Sequence, residues 1–344
     1  MYSTLKKHPD TFTVAGIGHC VGSHKFNNKE LSEAFGIRIK ESFIKKNIGI
    51  DTRFFVSEEE TTSDLAAKAA SLALINAGIT IEQIDRLIVA TSTPDYQTPS
   101  TACVVQHKLG GRDFPASDIV AACSGFLYGL DQALRCLATG NQTVLLVGVD
   151  CRSRTLNMKD KRTAFLYGDG AGAAVLKRTE TPNPKSGTKN GFLDCFTTAD
   201  GQGYDAVIIP AGGAKEPCNA SNVAAMKHKL SMPSGSLVAK NALFGFVHLS
   251  NKLLDRNQLC LNDIQQVIFH QPNRRLLELV MREMGLTEDN TFINFQRYGN
   301  TVAGSIPIAL SEAVQSNRIQ SGDNILLCAV GGGFTGGAAL LKWP

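Results

Sequence analysis

IEQIDRLIVA at residues 81–90 returns as LNDIQQVIFH at residues 261–270. Two further segments recur in the same order along the chain. TGNQTVLLVGV (139–149) resembles QSGDNILLCAV (320–330), and GAGAAVLK (170–177) resembles TGGAALLK (335–342). Ordered matches of this kind indicate an internal duplication, so each half of the chain should hold equivalent strands.

Helical patterns alternate with these strands. SDLAAKAASLALINAG (63–78) begins with a residue type that caps helix N-termini and ends at Gly78, and apolar residues recur at helical spacing over 124–138. Apolar runs such as VLLVGV and ILLCAV are typical of strands buried on both faces. We therefore predict an α/β fold, a thiolase-like duplicated five-layer α/β/α/β/α arrangement with helices shared between two sheets.

The duplication also predicts how the chain is divided. Residues 1–180 form the N-terminal half and residues 238–344 form the C-terminal half. The segment 181–237 between them is rich in Pro, Gly, Ser and Lys, and the strand-like runs FLDCFTT and AVIIP interrupt it. This composition predicts an insertion or lid-like segment rather than a third domain.

Composition excludes several classes of protein. With 43% hydrophobic and 19% charged residues, the 344-residue chain is ordinary for a globular protein. The net charge of +4 is scattered, which argues against nucleic-acid binding. No apolar run approaches the roughly 20 residues that span a membrane, and no signal peptide is evident, so we predict a cytoplasmic protein. The nine cysteines occur singly, which predicts reduced thiols and no metal site.

Cys123 is the first candidate for chemistry. It ends the apolar run DIVAAC and precedes SGFLYGL, so it lies at a predicted strand-to-helix turn. At that position a helix dipole favours the thiolate, which is the nucleophilic form of cysteine. Most cysteines are nevertheless small buried hydrophobic residues, and only the Ser- and Gly-flanked turn sets Cys123 apart.

His270 and Asn300 are the other two candidates. His270 closes the strand QQVIF at an edge where α/β sheets present ligand-binding groups, although a lone histidine there could equally be structural. Asn300, in RYGNTVAGSIPIAL, would by itself be interpreted as a helix N-cap. In the duplication, the turns at Cys123 and Asn300 precede equivalent helices, and His270 ends the strand equivalent to 84–90. Pseudo-two-fold symmetry then brings all three residues to one central site.

Four motifs taken together resemble the β-ketoacyl-acyl-carrier-protein synthase III family of the thiolase superfamily. They are ACSGFLYGL (122–130), HQPNRR (270–275), RYGNTVAGSIPIAL (297–310) and GGGFTGG (331–337). The similarity spans almost the whole chain and includes GIDTR (49–53), TPSTAC (98–103) and GDGAGAAVL (168–176). Neither GIGHCVG (16–22) nor YGDGAGAA (167–174) has dinucleotide-site spacing, and no GxSxG elbow occurs.

The resemblance implies an acyltransferase that uses no cofactor. An acyl thioester would load Cys123, and the acyl group would then be extended by decarboxylative Claisen condensation with a malonyl thioester. His270 and Asn300 would donate hydrogen bonds to the malonyl carbonyl while negative charge builds on it. The oxyanion hole for acyl transfer would consist of the backbone N–H groups of Cys123 and Gly332, the middle glycine of GGG.

The resemblance also implies partners and further substrate contacts. The family is homodimeric and uses acyl carrier protein and coenzyme A thioesters. Asn241 and Phe244 match positions near the pantetheine tunnel of the family. Arg275 matches a basic residue that is implicated in docking of the carrier protein. Family members often clamp the adenine of coenzyme A with Trp and Arg, where this chain has Phe43 and Asn47, with Lys161 near the remaining basic position. Thr98 replaces a Phe of acetyl-selective members, which predicts a donor longer or bulkier than acetyl.

Three other functions stay open from the sequence. A related enzyme of secondary metabolism could transfer the acyl group to a non-malonyl acceptor with the same Cys, His and Asn. A non-catalytic module that binds acyl groups or carrier protein would keep Cys123 only as a buried thiol. A Cys-His hydrolase would need a water-activating carboxylate, for which the sequence offers no candidate.

Overall fold

The computed structural model describes residues 11–179 and 190–344. Within them the strands are β1 Thr11–Val21, β2 His24–Asn27, β3 Thr52–Phe55, β4 Arg86–Ala90, β5 Ala116–Ile119, β6 Thr143–Asp150, β7 Gly170–Thr179, β8 Gly191–Ala199, β9 Gln266–Phe269, β10 Asn324–Gly331 and β11 Thr335–Lys342. The helices are α1 Asn28–Ala34, α2 Glu41–Asn47, α3 Thr62–Ala77, α4 Thr101–Lys108, α5 Gly125–Ala138, α6 Ala220–Ala224, α7 Gly235–Asn257, α8 Arg274–Met284, α9 Phe295–Tyr298 and α10 Ser305–Gln315.

Two mixed sheets repeat one topology. The first sheet has the order β1-β7-β6-β4-β5 and the second has the order β8-β11-β10-β9. In the first sheet β4 is parallel to both β5 and β6, and β7 is antiparallel to its two neighbours. In the second sheet β9 is parallel to β10, and β11 is antiparallel to its neighbours. The strands that recur in the sequence occupy equivalent places in the two sheets, so the predicted duplication is confirmed.

The helices and sheets form five layers. α5 and α10 lie between the sheets, and their apolar faces share one core with inward-facing strand residues such as Ile88 of the first sheet and Ile268 of the second. α3 covers the outer face of the first sheet, where Leu87 and Val89 point. α7 and α8 cover the outer face of the second sheet. Because both faces of each sheet are buried at its centre, the central strands β6 and β10 are apolar along most of their length, as the continuous apolar runs predicted.

The segment predicted as an insertion contributes to the fold in two ways. β8 pairs with β11 along Gly191–Ala199 and so forms an edge strand of the second sheet. The residues that follow form a loop region in which Ile208 and Ser231 exchange backbone hydrogen bonds. Residues 180–189 lie outside the described part of the chain. The boundaries 181 and 237 therefore stay a prediction, whereas the second sheet already begins at Gly191.

The two halves meet at buried turns between the sheets. A short 3-10 turn, Ala122–Ser124, precedes α5, and an equivalent turn, Val302–Gly304, precedes α10. Asp150, at the end of β6, is fully buried and accepts a hydrogen bond from the backbone N–H of Ala303. A side chain at Gly148 would lie 2.3 Å from the Ala303 carbonyl oxygen, so glycine permits this close contact.

Residues 11–179 and 190–344 contain neither a membrane-spanning helix nor a metal-binding cluster. No helix there is long and apolar enough to cross a membrane. No group of three or more His, Cys, Asp or Glu side chains there is arranged to hold a metal ion. All nine cysteines are free thiols.

Candidate active site

Cys123 lies in the tight turn between β5 and α5. The residue before it, Ala122, has a φ of +47°, a left-handed conformation that L-residues seldom adopt. The turn is closed by a hydrogen bond from the Ser124 N–H to the Ala121 carbonyl. This geometry places the Cys123 sulfur in front of α5 and at the wall of a central cavity. A strained turn that presents a nucleophile is a common feature of active sites.

The thiol of Cys123 is protonated in the free protein, which differs from the expected thiolate. Burial raises its pKa to about 12, while the positive charge of Arg152 and a hydrogen bond from the Asn300 side chain act in the opposite direction. Removing the thiolate from water therefore outweighs the stabilisation that the turn and helix N-terminus supply. Any reaction in which Cys123 acts as a nucleophile must therefore remove this proton.

His270 follows β9 and is 1% exposed. Its backbone N–H donates to the Cys328 carbonyl at 2.9 Å, which fixes the residue at the carboxyl edge of the second sheet. Neither ring nitrogen has a hydrogen-bond partner among the described residues. Burial lowers the pKa of the imidazole to about 3, so the ring is neutral and carries one N–H. Such a ring is a preformed donor for a substrate oxygen.

Asn300 is held by its backbone and by one side-chain atom. Its N–H donates to the Leu166 carbonyl at 2.8 Å, and its carbonyl accepts from the Gly168 N–H at 3.1 Å. Its Oδ1 accepts from the Val302 N–H at 2.8 Å. Because Oδ1 is occupied in this way, the side-chain amide nitrogen is directed toward Cys123 as a donor. Asn300 thus caps the turn before α10 through Oδ1 and also lines the cavity, to which its amide nitrogen offers a donor.

The glycine-rich hairpin between β10 and β11 approaches the Cys123 turn closely. A side chain at Gly331 would lie 2.9 Å from the Cys123 backbone nitrogen, so that position admits only glycine. At Gly332 an added Cβ would meet Val207 at 3.5 Å, an ordinary contact. The steric need for glycine therefore lies at Gly331, one residue before the position named from the sequence. Both glycines line the cavity.

One cavity of about 720 Å³ brings the three predicted catalytic residues together. Cys123, His270 and Asn300 all line it, as do Gly332 and Arg275. Its wall also includes apolar residues of the region predicted as a lid, namely Val207, Ile208, Ile209, Leu230 and Met232. α7 and α8 contribute the remaining side, with Val238, Ala239, Ala242, Leu276 and Leu279. The chamber has the mostly apolar lining with a small number of polar groups that is typical of a small-molecule site.

The other residues predicted to bind substrate lie away from the lining of this cavity. They are Phe43, Asn47, Thr98, Lys161, Asn241 and Phe244. Phe43 and Phe244 are 55% and 68% exposed, and Phe244 stacks on His248. Arg275 lies at the cavity wall, where its guanidinium donates to the backbone carbonyls of Lys45 and Lys46 and pairs with Glu278. Arg275 therefore joins α8 to α2, on which Phe43 and Asn47 lie.

Sequence reasoning missed several polar residues of the cavity, among them Ser92, Arg152 and Tyr167. Arg152 is 5% exposed although it carries a full charge. A signal was present in GVDCRSR (148–154), where Asp150 ends the largely apolar strand β6 and Arg152 follows it, at the edge that also presents Cys123. The duplication places a glycine-rich run at the equivalent position of the second half, so the charged residues are specific to the first half.

Comparisons with known proteins agree with this geometry. Residues 117–201 match the family model for 3-oxoacyl-[acyl-carrier-protein (ACP)] synthase III, and residues 254–343 match its C-terminal model. The chain is 37% identical over 331 residues to β-ketoacyl-[acyl-carrier-protein] synthase III of Clostridioides difficile, covering 96% of this chain and 98% of that protein.

Solved structures show the same similarity. The β-ketoacyl-[acyl-carrier-protein] synthase III of Thermus thermophilus superimposes with a TM-score of 0.86 at 33% identity, over 96% of this chain and 99% of that one. A priming β-ketosynthase from a polyketide biosynthetic pathway superimposes with a TM-score of 0.87 at 25% identity, over 98% and 97% of the two chains. The chain belongs to the β-ketoacyl-[acyl-carrier-protein] synthase III family of condensing acyltransferases.

Proposed function

We propose that this protein loads an acyl group from a thioester onto Cys123 and extends it by decarboxylative condensation with malonyl-acyl-carrier-protein. The observation that carries this proposal is the convergence of Cys123, a neutral His270 and the Asn300 amide on one apolar cavity. Each of these groups has an unused donor or nucleophilic atom directed at the same space. The membership in the synthase III family supports the reaction class.

The first step is acyl transfer to sulfur. The Cys123 sulfur attacks the carbonyl carbon of the donor thioester, a new carbon–sulfur bond forms, and the old one breaks. The proton of the Cys123 thiol ends on the leaving thiol, so charge and atoms balance. Backbone N–H groups of the Cys123 turn and the Gly332 hairpin are the proposed donors to the transient oxyanion.

The second step is the condensation. The bond between the malonyl carboxylate and its methylene breaks, carbon dioxide leaves, and the electron pair moves onto the thioester oxygen as an enolate. The N–H of neutral His270 and the amide of Asn300 stabilise that oxygen, because both are already fixed donors. The enolate carbon then attacks the acyl carbonyl, and Cys123 is released and takes up a proton.

The same proposal includes a homodimer and a cytoplasmic location. β5 is the last strand of the first sheet, so one of its sides has no neighbouring strand among the described residues. Beside it, Val120 is 75% exposed and Tyr96 is 59% exposed. A second copy paired along this edge would cover both side chains and bring Thr98, which is also exposed, toward the partner's acyl channel. Light scattering that finds only a monomer contradicts this part.

The experiment is intact-mass spectrometry with acyl donors of graded length. Purified protein is incubated with coenzyme A and carrier-protein thioesters from acetyl upward, then chased with malonyl-acyl-carrier-protein while carbon dioxide is collected. We expect one acyl adduct on Cys123, best with a donor longer than acetyl, that disappears with release of carbon dioxide. Cys123→Ala should form no adduct, and the exposed-cysteine variant Cys218→Ala should behave as the wild type.

Four results would overturn parts of the proposal. No adduct with any donor removes the enzyme function and leaves a non-catalytic binding module. An adduct that is hydrolysed without malonyl thioester indicates a hydrolase. Transfer of the acyl group without carbon dioxide release indicates an acceptor other than malonyl. Use of acetyl-coenzyme A alone contradicts only the predicted donor length.

One observation favours a role in polyketide biosynthesis instead of fatty acid biosynthesis, namely the similarity to a priming β-ketosynthase of a polyketide pathway. The chemistry at Cys123 is the same in that context, and the carrier protein differs. Competition between fatty-acid and polyketide acyl carrier proteins for the malonyl chase distinguishes the two. A clear preference for the polyketide carrier would place the enzyme in a specialised pathway.

A further inference from the structure

Arg152 is a buried charged residue in an otherwise apolar cavity. Its side chain is 6% exposed, and it lines the same space as Cys123. Among the described residues that line this cavity, the only other one with a full charge is Arg275, and no carboxylate joins them. A buried arginine costs free energy unless its charge is matched, so its place beside the nucleophile calls for an explanation.

The known contacts of Arg152 leave part of its guanidinium unused. It donates to the Ser92 hydroxyl, to Asp150 Oδ1 at 3.4 Å and to Thr155 Oγ1 at 3.3 Å. An arginine has five N–H donors, and the remaining two have no partner in the part of the chain that the structure describes. Because the side chain borders the cavity, a bound substrate is the available acceptor for them.

Asp150 does not need Arg152 for its own stability. Its two oxygens accept from the Ser92 N–H at 3.0 Å, the Ser92 hydroxyl at 2.8 Å, the Thr93 hydroxyl at 2.9 Å and the Ala303 N–H at 3.1 Å. The contact with Arg152 is the longest of the set. The carboxylate is therefore held largely by neutral donors, which leaves the guanidinium able to pair with a second anion.

Tyr167 supplies a second, independent feature. It is 5% exposed and lines the cavity, and no hydrogen bond of its hydroxyl group occurs among the described residues. Burial raises the pKa of its hydroxyl, which also lies within electrostatic range of the Cys123 thiol and the Arg152 guanidinium. Arg152 and Tyr167, both residues of the first half, thus contribute unused polar donors to the wall of the cavity.

We propose that Arg152 and Tyr167 recognise a carboxylate at the far end of the donor acyl group, so that the preferred donor is the monothioester of a short dicarboxylic acid. A planar guanidinium with free N–H groups matches a carboxylate geometrically, and an apolar acyl chain would leave those donors unpaired in a buried site. This inference rests on the proposed acylation of Cys123 and names its substrate class.

The test compares two donors with the same four-carbon chain, succinyl-coenzyme A and butyryl-coenzyme A. The initial rate of Cys123 acylation is followed by intact mass for the wild type, Arg152→Met, Tyr167→Phe and the control Arg318→Met. Arg318 lies on the surface and donates to the backbone carbonyls of Glu288 and Asp289, so its variant removes one positive charge far from the cavity.

We expect the wild type to load succinyl at least about tenfold faster than butyryl, the ratio that one buried charge-assisted contact supports. Arg152→Met should bring the ratio to one or reverse it, Tyr167→Phe should reduce it in part, and Arg318→Met should leave it unchanged. A purely structural role for Arg152 would lower both rates together and keep the ratio.

Two outcomes refute the inference. In the first, the wild type loads butyryl as fast as succinyl. This comparison needs no variant, so it decides the question even if Arg152→Met does not fold. The other is an unchanged ratio in a folded Arg152→Met protein. Either result leaves the proposed function intact as long as some donor acylates Cys123, whereas an absence of adduct with every donor removes both.

Discussion

The two halves of the molecule share their backbone and differ in their side chains. Both contain a 3-10 turn at equivalent positions, and both turns contain a residue in the left-handed region, Ala122 at φ +47° and Val302 at φ +50°. Each turn leads into a helix of the central layer. The strained turn is therefore a property of the duplicated fold and not of the chemistry at either position.

The reacting groups occur on only one side of each equivalent pair. Cys123 corresponds to Ala303, and His270 corresponds to Ala90 at the end of β4. In the proposed reaction, the first half supplies the nucleophile and the second half supplies the donors to the enolate oxygen. This comparison teaches that the duplication provides two converging scaffolds, and that a few substitutions on each are enough to assign the two proposed steps to different halves.

The largest expected effect is a separation of these steps by mutation. Cys123→Ala should abolish acylation, whereas His270→Ala should keep the Cys123 adduct and slow carbon dioxide release by about a hundred- to a thousandfold, the usual loss for one oxyanion donor. Intact mass reports the first step and carbon dioxide capture reports the second. The exposed His24→Ala serves as the control. Loss of the adduct in His270→Ala would show that the steps are not divided between the halves.

The second effect concerns the pH dependence of Cys123. Because burial raises its pKa to about 12, the reactive thiolate fraction should increase about tenfold per pH unit, hence about a thousandfold from pH 6 to pH 9. His270, with a pKa of about 3, carries no charge in this range that could stabilise a thiolate. Alkylation of Cys123 by iodoacetamide, followed by peptide mass mapping, measures the slope. A plateau below pH 8 would reveal a thiolate–imidazolium pair across the two halves.

The comparison also explains what could be predicted from the sequence. Apolar strands and helical periodicity are local properties, so the five layers and the equivalence of the halves followed from them. Cys123 and Asn300 were found because each lies at a turn that the repeat duplicates, and His270 was found because it ends a repeated strand. The order of residues along the chain was enough to single out these three positions, whereas their catalytic roles came from the family resemblance.

The missed features depend on burial and on distant contacts. The protonated state of Cys123 reflects desolvation by both halves, which a local helix dipole argument omits. Arg152 lines the cavity because it is held by Ser92, which is distant in the sequence, and by Asp150. That Tyr167 lines the same cavity could not be predicted from the sequence either. Close approach explains why glycine is needed at Gly331, since the Cys123 turn lies far from it along the chain.

The third effect tests the contact between the halves. Asp150 accepts from Ser92 and Thr93 of the first half and from the Ala303 N–H of the second. Asp150→Asn removes the charge and turns an amide NH₂ toward these donors, so we expect a loss of about 2–3 kcal/mol in the free energy of unfolding. Urea unfolding measures it. Asp131→Asn, in a surface pair with Arg135, should change stability by less than about 1 kcal/mol. Equal effects would show that Asp150 does not join the halves.

The smallest expected effect is on the free energy of unfolding, and it concerns the C-terminal caps of two equivalent helices. α3 ends at Gly78 with a φ of +65°, and α7 ends at Gln258 with a φ of +56°. A Cβ at Gly78 would meet nothing within 4 Å, so Gly78→Ala should cost about 1 kcal/mol through backbone strain alone. Gln258→Gly should relieve the same strain and stabilise the protein by up to about 1 kcal/mol. Opposite signs in urea unfolding would show that the two caps differ only in residue type. If Gln258→Gly also destabilises, the second half has gained contacts at this cap that compensate for the left-handed glutamine.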